Sequence, residues 1–203
     1  MSGWQIRPER PEDFPAIRKV LVDAFGDDEV ADGVDRIRES WIYRPATSLV
    51  AVLDGGASGN AVPDGSAVSD GNAVPDGSAV SDGEVVGCVM VVGCTLTGGA
   101  GERPAAMLTP LAVSPGHERR GIGAALVRAA LAGAEEAGEP LVVLEGSPKY
   151  YGALGFVPAR DHGIEMHLPD WAPPEAAQVY LLTAYDELDP ALRGVISYPP
   201  VYG

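Results

Sequence analysis

Gly121 and Gly123 flank Ile122 directly after Arg119 and Arg120, in the stretch LAVSPGHERRGIGAALVRAAL that spans residues 111–131. Glycines at this spacing let a backbone turn so that successive N–H groups point into one small volume. The Ala/Leu run that follows reads as a helix, and its first turn adds positive potential at the same place. The arginines add side-chain charge. The chemistry open to these residues is the holding of a phosphate-like anion; the alternative is a plain turn ahead of a helix.

Neither of the familiar nucleotide loops fits. A Walker A loop requires Lys and then Ser or Thr after its last glycine; here Ala124 and Ala125 follow Gly123, and the next lysine is Lys149. A Rossmann turn requires Gly or Ala at the third fingerprint position, directly off a strand. This chain has Leu126 there, and SPGHERR separates the strand from Gly121.

The chain of 203 residues carries 29 acids against 14 bases, a formal charge of −15. Most of such a surface repels a phosphate backbone, which argues against nucleic acid as a partner and favours a cationic small molecule or basic peptide. The longest apolar run, VVGCVMVVGC, is too short to span a bilayer. The start, MSGWQIRPERPEDF, has no apolar stretch of the signal-peptide kind, so the expectation is a cytoplasmic protein without a membrane role. Cys88 and Cys94 share one face of a strand at about 20 Å, too far apart to pair, and match no zinc spacing. They read as buried, inert thiols, and no metal site is expected.

Elements that position the glycine loop follow from periodicity. WQIRPE reads as a strand. RPEDFPAIRKVLVDAFG reads as a helix built on Phe14, Ile17, Leu21 and Phe25 and ended by Gly26. DDEVADGVDRIRESWI reads as a second helix on Val30, Val34, Ile37 and Trp41. SLVAVLD, EVVGCVMVVGCTL and AAMLTPLAV read as strands, with Pro110 marking a bulge or an unpaired position. After the helix that ends near Ala137 come a buried strand, EPLVVLEG, a short helix, SPKYYGAL, and two final strands, GFVPA and QVYLLTAYDEL. The order β-α-α-β-β-β-α-β-α-β-β predicts an α/β fold with a mostly antiparallel front half.

Residues 55–83 stand apart. NAVPDGSAVSDG at 60–71 repeats letter for letter at 72–83, a 12-residue duplication with an internal period of six. One carboxylate per unit is too few for a calcium array. Four hexads make little more than one coil of a β-helix. The preferred reading is a duplicated acidic loop inserted between two strands of a single domain spanning 1–203.

LAVSPGHERRGIGAALV resembles the acyl-CoA signature of the GCN5-related N-acetyltransferase (GNAT) family, and YYGALGF resembles that family's Tyr-x-x-x-Gly-Phe segment at a fitting distance downstream. The pair, in this order with a strand between, is more specific than either alone. The resemblance covers roughly residues 4–54 and 84–185. YYGALGFVPARDHGI and the final YPPVYG are most similar to the YhbS-like bacterial group. The resemblance implies a mixed, mostly antiparallel sheet flanked by helices and splayed at the acyl-CoA site. It implies acetyl-CoA as co-substrate, with the backbone of Leu111, Ala112 and Val113 along the pantetheine arm. N–H groups from Arg119, Arg120, Gly121, Ile122, Gly123 and Ala124 would hold the diphosphate. Glu118 departs from the signature, which has Gln or Arg there; a carboxylate facing a diphosphate is unfavourable, so its side chain is expected to turn outward.

Acetyl transfer to an amine requires a neutral amine, a donor for the developing oxyanion and a proton for the leaving thiolate. Tyr151 occupies the position of the family's general acid, and Tyr150 beside it is expected to be packing. Glu145, at the end of the buried strand, is the first candidate for the base. His162 is the second, since an imidazole titrates near neutrality, and an unassisted water chain is the remaining alternative. The expected acceptor is a primary amine of a small molecule or peptide, and a homodimer is compatible with the sequence. An acyl-CoA-binding sensor or a scaffold on the same fold is the alternative. The Pro-rich DWAPPEAAQ is read either as shaping an acceptor cleft or as a surface loop.

Overall fold

The apolar run that starts at Glu84 is long enough to serve several neighbours. In the computed structural model, which describes residues 3–54 and 83–198, it forms strand β3 (Glu84–Gly98). One edge of β3 pairs antiparallel with β4 (Gly101–Val113) along nearly its whole length. The other edge is shared: β2 (Ser48–Leu53) covers the first half, and β9 (Gly194–Ser197) the second. β1 (Trp4–Pro8) pairs with β2 and ends the sheet on that side. Beyond β4 lie β5 (Leu141–Glu145), β8 (Ala177–Leu181) and the two-residue β6 (Val157–Pro158). β7 (Ile164–Met166) pairs with β9. All pairings are antiparallel except β4 with β5 and β7 with β9.

Helices cover both faces. Helix α1 (Phe14–Phe25) and helix α2 (Glu29–Arg38) bury Ile17, Val20, Leu21, Val34 and Ile37 against one face. Gly26 ends α1 as expected, in the left-handed region at φ 85°, with its N–H donating to the Val22 carbonyl. Helix α3 (Ile122–Glu136) buries Ile122, Leu126, Val127, Ala130 and Leu131 against the other face, where the short helix α4 (Pro148–Gly152) also lies.

α2 is tied to the sheet by a polar cluster. The Arg38 guanidinium donates to both Glu9 oxygens at 3.1 and 2.9 Å, Tyr43 donates to Glu9 at 2.9 Å, and the guanidinium lies 3.9 Å over the Phe14 ring. This fixes the helix that lines the candidate site. Cys88 and Cys94 are both buried toward α1 and α2, and burial pushes both thiols up to about 12.

Several expectations require correction. The second helix stops at Arg38, because Ser40 turns its N–H and its hydroxyl onto the Ile37 carbonyl, at 2.9 and 2.7 Å. Trp41 is therefore left 75% exposed, and Ile42 takes the core position at 1%. The last predicted strand ends at Leu181, where the Leu182 N–H bonds the Pro140 carbonyl at 3.0 Å and Thr183 N–H turns to the Glu135 carboxylate. β7 and β9 were not foreseen. Most of the hexad repeat, residues 60–82, lies outside the described residues.

The feature that matters most is where β4 and β5 part. They pair only at Ala106↔Val142 and Met107↔Val143. β4 then continues with β3 through Leu111↔Val89, Ala112↔Cys88 and Val113↔Gly87, while β5 stays with β8 to Glu145↔Ala177. A register shift opposite Val89–Val91 leaves Thr109 and Pro110 as a bulge on β4, at the position that Pro110 marked. Strands that share only two partners and then diverge leave a wedge with backbone groups along its walls.

Candidate functional site

β5 alternates between the two faces. Leu141 and Val143 enter the core under α1 and α2, whereas Val142 and Leu144 enter the core under α3. Glu145 continues the first set, so its side chain leaves the strand end on the α1/α2 side. Tyr151 packs with the α3 core and approaches the same wedge from the opposite side. A cavity of about 350 Å³ joins them, lined by Leu108, Thr109, Pro110 and Leu111 of β4, by Glu145 and Tyr151, and by Glu29 and Val30 of α2.

Tyr151 is held by its neighbours. Its ring meets Phe156 edge-on at 5.6 Å, and Phe156 meets Tyr180 at 5.3 Å. A Cβ on Gly146 would fall 2.3 Å from the Tyr151 ring, so only glycine lets the ring lie against the end of β5. Burial first, and then Tyr150, push the Tyr151 hydroxyl up to about 12. It is a protonated donor throughout the neutral range. Partial burial raises the Glu145 carboxyl above its ordinary range, and the nearby Tyr198 hydroxyl pulls it back down. The Tyr198 oxygen is itself buried without a hydrogen bond formed, in a second cavity of about 300 Å³ that it shares with Glu145, Met107, Leu108 and Thr109.

The glycine loop opens next to this wedge. Gly116, Arg119 and Gly121 have φ of +86°, +57° and +84°, and Arg119 is the one non-glycine with positive φ among the described residues. Left-handed residues so closely spaced turn their amides toward a common point. α3 starts at Ile122, with Gly121, which has no side chain, in the capping position. Ile122 is buried and anchors the turn, while Glu118, Arg119 and Arg120 are exposed. Tyr150 is closer to this loop than the sequence suggested. A Cβ on Gly123 would come within 2.7 Å of its hydroxyl, and its ring stacks edge-on against Tyr151 at 4.9 Å.

Leu111 lines the cavity, Ala112 is buried and Val113 is half-buried. Their β3-facing edge is paired and the other edge faces the wedge. His162 is placed elsewhere. It lies in the turn after β6, with Nδ1 at 3.4 Å from the Tyr185 hydroxyl, and does not line the cavity that joins Glu145 to Tyr151. Tyr198 was missed, because 52 residues of chain lie between it and Glu145 and no local spacing links them. Among the described residues no group of His, Cys, Asp and Glu could hold a metal, and no helix is long and apolar enough to cross a membrane.

Residues 78–159, which include the glycine loop, Glu145 and Tyr151, match the sequence model of the Acetyltransferase (GNAT) domain. Within those residues the sequence is similar to a GNAT acetyltransferase domain. The structure is similar to that of the GNAT family N-acetyltransferase YhbS from Escherichia coli in complex with CoA. The TM-score is 0.73 at 25% identity, over 100% of this chain and 93% of that one. It is similar to a GNAT family acetyltransferase from Brucella melitensis in complex with acetyl-CoA, with a TM-score of 0.67 at 22% identity over 100% of both chains. Ard1 from Thermoplasma volcanium shares the fold at a TM-score of 0.56 and 18% identity, over 88% of this chain and 97% of that one. No curated protein matches the sequence. The chain thus has the α/β fold expected, a mostly antiparallel open sheet flanked by helices, as in these GNAT structures.

Proposed function

We propose that this protein transfers an acetyl group from acetyl-CoA to a primary amine by direct attack, with Tyr151 as general acid and Glu145 as general base. The observation that carries the reading is the placement of these side chains on opposite faces of one wedge. A proton taken on one side and a proton given on the other then serve a single displacement between them.

The residues present fit the co-substrate. α3 offers the first-turn amides of Ile122, Gly123 and Ala124 without a side-chain cap, and Arg119 and Arg120 supply positive charge in a chain of net −15. The gap-facing edge of Leu111, Ala112 and Val113 presents backbone groups to an extended arm, as a missing strand would meet them. Bound there, acetyl-CoA supplies a thioester carbonyl open to nucleophilic attack.

Glu145 receives a proton from the alkylammonium, directly or through water, and leaves a neutral amine. The nitrogen forms its bond to the carbonyl carbon as the carbon–sulfur bond breaks, and the second proton it then sheds passes through water to restore Tyr151 after that residue has protonated the sulfur. Tyr151 donates its phenolic proton to the departing sulfur. Its raised pKa keeps that proton in place until the sulfur becomes basic. Leu108, Thr109, Pro110 and Leu111 form the wall that keeps bulk water from one side of the thioester.

The test is thiol release from acetyl-CoA with a panel of amines, run beside calorimetric titration of acetyl-CoA. Amine-dependent release with one-to-one binding is expected. Absence of any heat of binding to folded protein overturns the reading.

A further inference from the structure

We propose that the slot between Trp171 and the Ser147–Pro148 turn is the acceptor subsite, built for a single primary ammonium carried on a flat apolar body, as in a small arylalkylamine. The inference rests on the acetyl-transfer reading above and names its substrate class.

Glu145 lines the Tyr151 cavity and the Tyr198 cavity, and it also lines a third cavity of about 370 Å³. It is the residue common to all three among the described residues. The walls of the third cavity are Pro148, Trp171, Ala172, Pro173 and Ala176, and Glu145 is its one ionisable group. The backbone of Gly146 in this slot is already engaged. Its N–H donates to the Ala176 carbonyl at 3.0 Å, and its carbonyl accepts from Gln178 Nε2 at 3.1 Å. Ser147 adds one hydroxyl, so recognition is left to mainly apolar walls, that hydroxyl and one carboxylate. That pattern matches an ammonium at the end of an apolar group. A polyamine or aminoglycoside carries several cations and requires several anionic partners, which this slot lacks.

Trp171 is 82% exposed, a large aromatic surface left in water at the slot's rim. An indole there offers both stacking area for a flat body and a face that attracts a cation. The loop that carries it is fixed beforehand. Pro169, Pro173 and Pro174 restrict its backbone. Ala172 N–H bonds the Pro169 carbonyl at 2.9 Å and Ala176 N–H bonds the Pro173 carbonyl at 2.8 Å. Arg160 pairs with Glu175 at 2.8 Å across the base of the loop. A preformed slot spends little ordering entropy on its ligand. Its size suits a small molecule of one ring and a short arm. A peptide N-terminus would bring several amide groups into walls whose one uncharged polar side chain is Ser147.

The experiment is equilibrium binding to the protein loaded with coenzyme A, which cannot transfer an acetyl group. 2-Phenylethylamine, spermidine and the tripeptide Phe-Ala-Ala are titrated into the native protein, Trp171→Ala and Trp171→Phe. Binding of 2-phenylethylamine about tenfold tighter than either competitor is expected, reduced about tenfold in Trp171→Ala and largely kept in Trp171→Phe. Tighter binding of spermidine or of the peptide overturns the proposal, as does an unchanged affinity in Trp171→Ala. Coenzyme A affinity is read in the same titrations. Its absence, with the amine preference intact without it, overturns acetyl transfer and leaves the slot standing.

Discussion

Glu145 and Tyr151 reach one cavity from opposite faces of the sheet, Glu145 from the side of α1 and α2 and Tyr151 from the side of α3. The arrangement follows from β5 alternation and from the early parting of β4 and β5, which opens the sheet where the two side chains would otherwise be separated by paired backbone. Each side chain can therefore be altered without disturbing the packing of the other.

Tyr151→Phe keeps the ring contacts with Phe156 and Gly146 and removes only the phenolic proton. We expect kcat to fall by about a hundredfold or more, with the acetyl-CoA dissociation constant unchanged, as read by steady-state kinetics and calorimetry. Equal rates for both proteins across the pH range would remove the acid assignment.

Glu145 acts as a base only when ionised, and partial burial raises its pKa above the ordinary carboxylate range. Activity should therefore rise with pH through that raised value. Glu145→Gln should lower kcat/KM and abolish that limb. Tyr198→Phe removes the hydroxyl that pulls the carboxyl down, so the limb should move to higher pH. A limb that stays in place in Tyr198→Phe would show that another group sets it.

At Gly123 a new Cβ meets the Tyr150 hydroxyl at 2.7 Å, the far end of a movable side chain. Gly123→Ala should therefore weaken acetyl-CoA binding modestly, and adding Tyr150→Ala should relieve the crowding. Gly123→Asp places an anion at the α3 N-terminus and should weaken binding about tenfold or more by calorimetry. Full affinity in Gly123→Asp would place the diphosphate elsewhere.

The parts of the fold with long, strongly periodic sequence were legible. α1 with its Gly26 stop, α3, β3 and the bulge at Pro110 were all readable from apolar spacing and from the residues that break it. β7 and β9, of three and four residues, were not, since so short a run carries no period. Trp41 misled because its spacing continued the α2 stripe, while the local bonds of Ser40 ended the helix first. At the site, the glycine loop, Glu145 and Tyr151 could be named because motif and strand end are local features. Tyr150 over Gly123 and Tyr198 beside Glu145 depend on how distant segments meet, which spacing does not encode.

β2 and β3 stay paired, across a register shift at Ala51/Val52, up to Leu53↔Glu84, next to the inserted repeat. The hairpin's pairing therefore does not draw on the hexads. Deleting residues 60–82 should leave Tm within about 2 °C and acetyl-CoA affinity unchanged, as measured by thermal unfolding and calorimetry. A large drop in Tm would show that the insertion is part of the folded core.

Both sulfhydryls of the chain, Cys88 and Cys94, are interred in the sheet interior with thiolate formation suppressed. A disulfide chromogen added to the native protein should stay colourless until the product thiol of the proposed reaction accumulates, and guanidinium should then unmask two equivalents per chain. The protein is in that respect a blank for its own assay, so turnover can be followed continuously without mutating either cysteine.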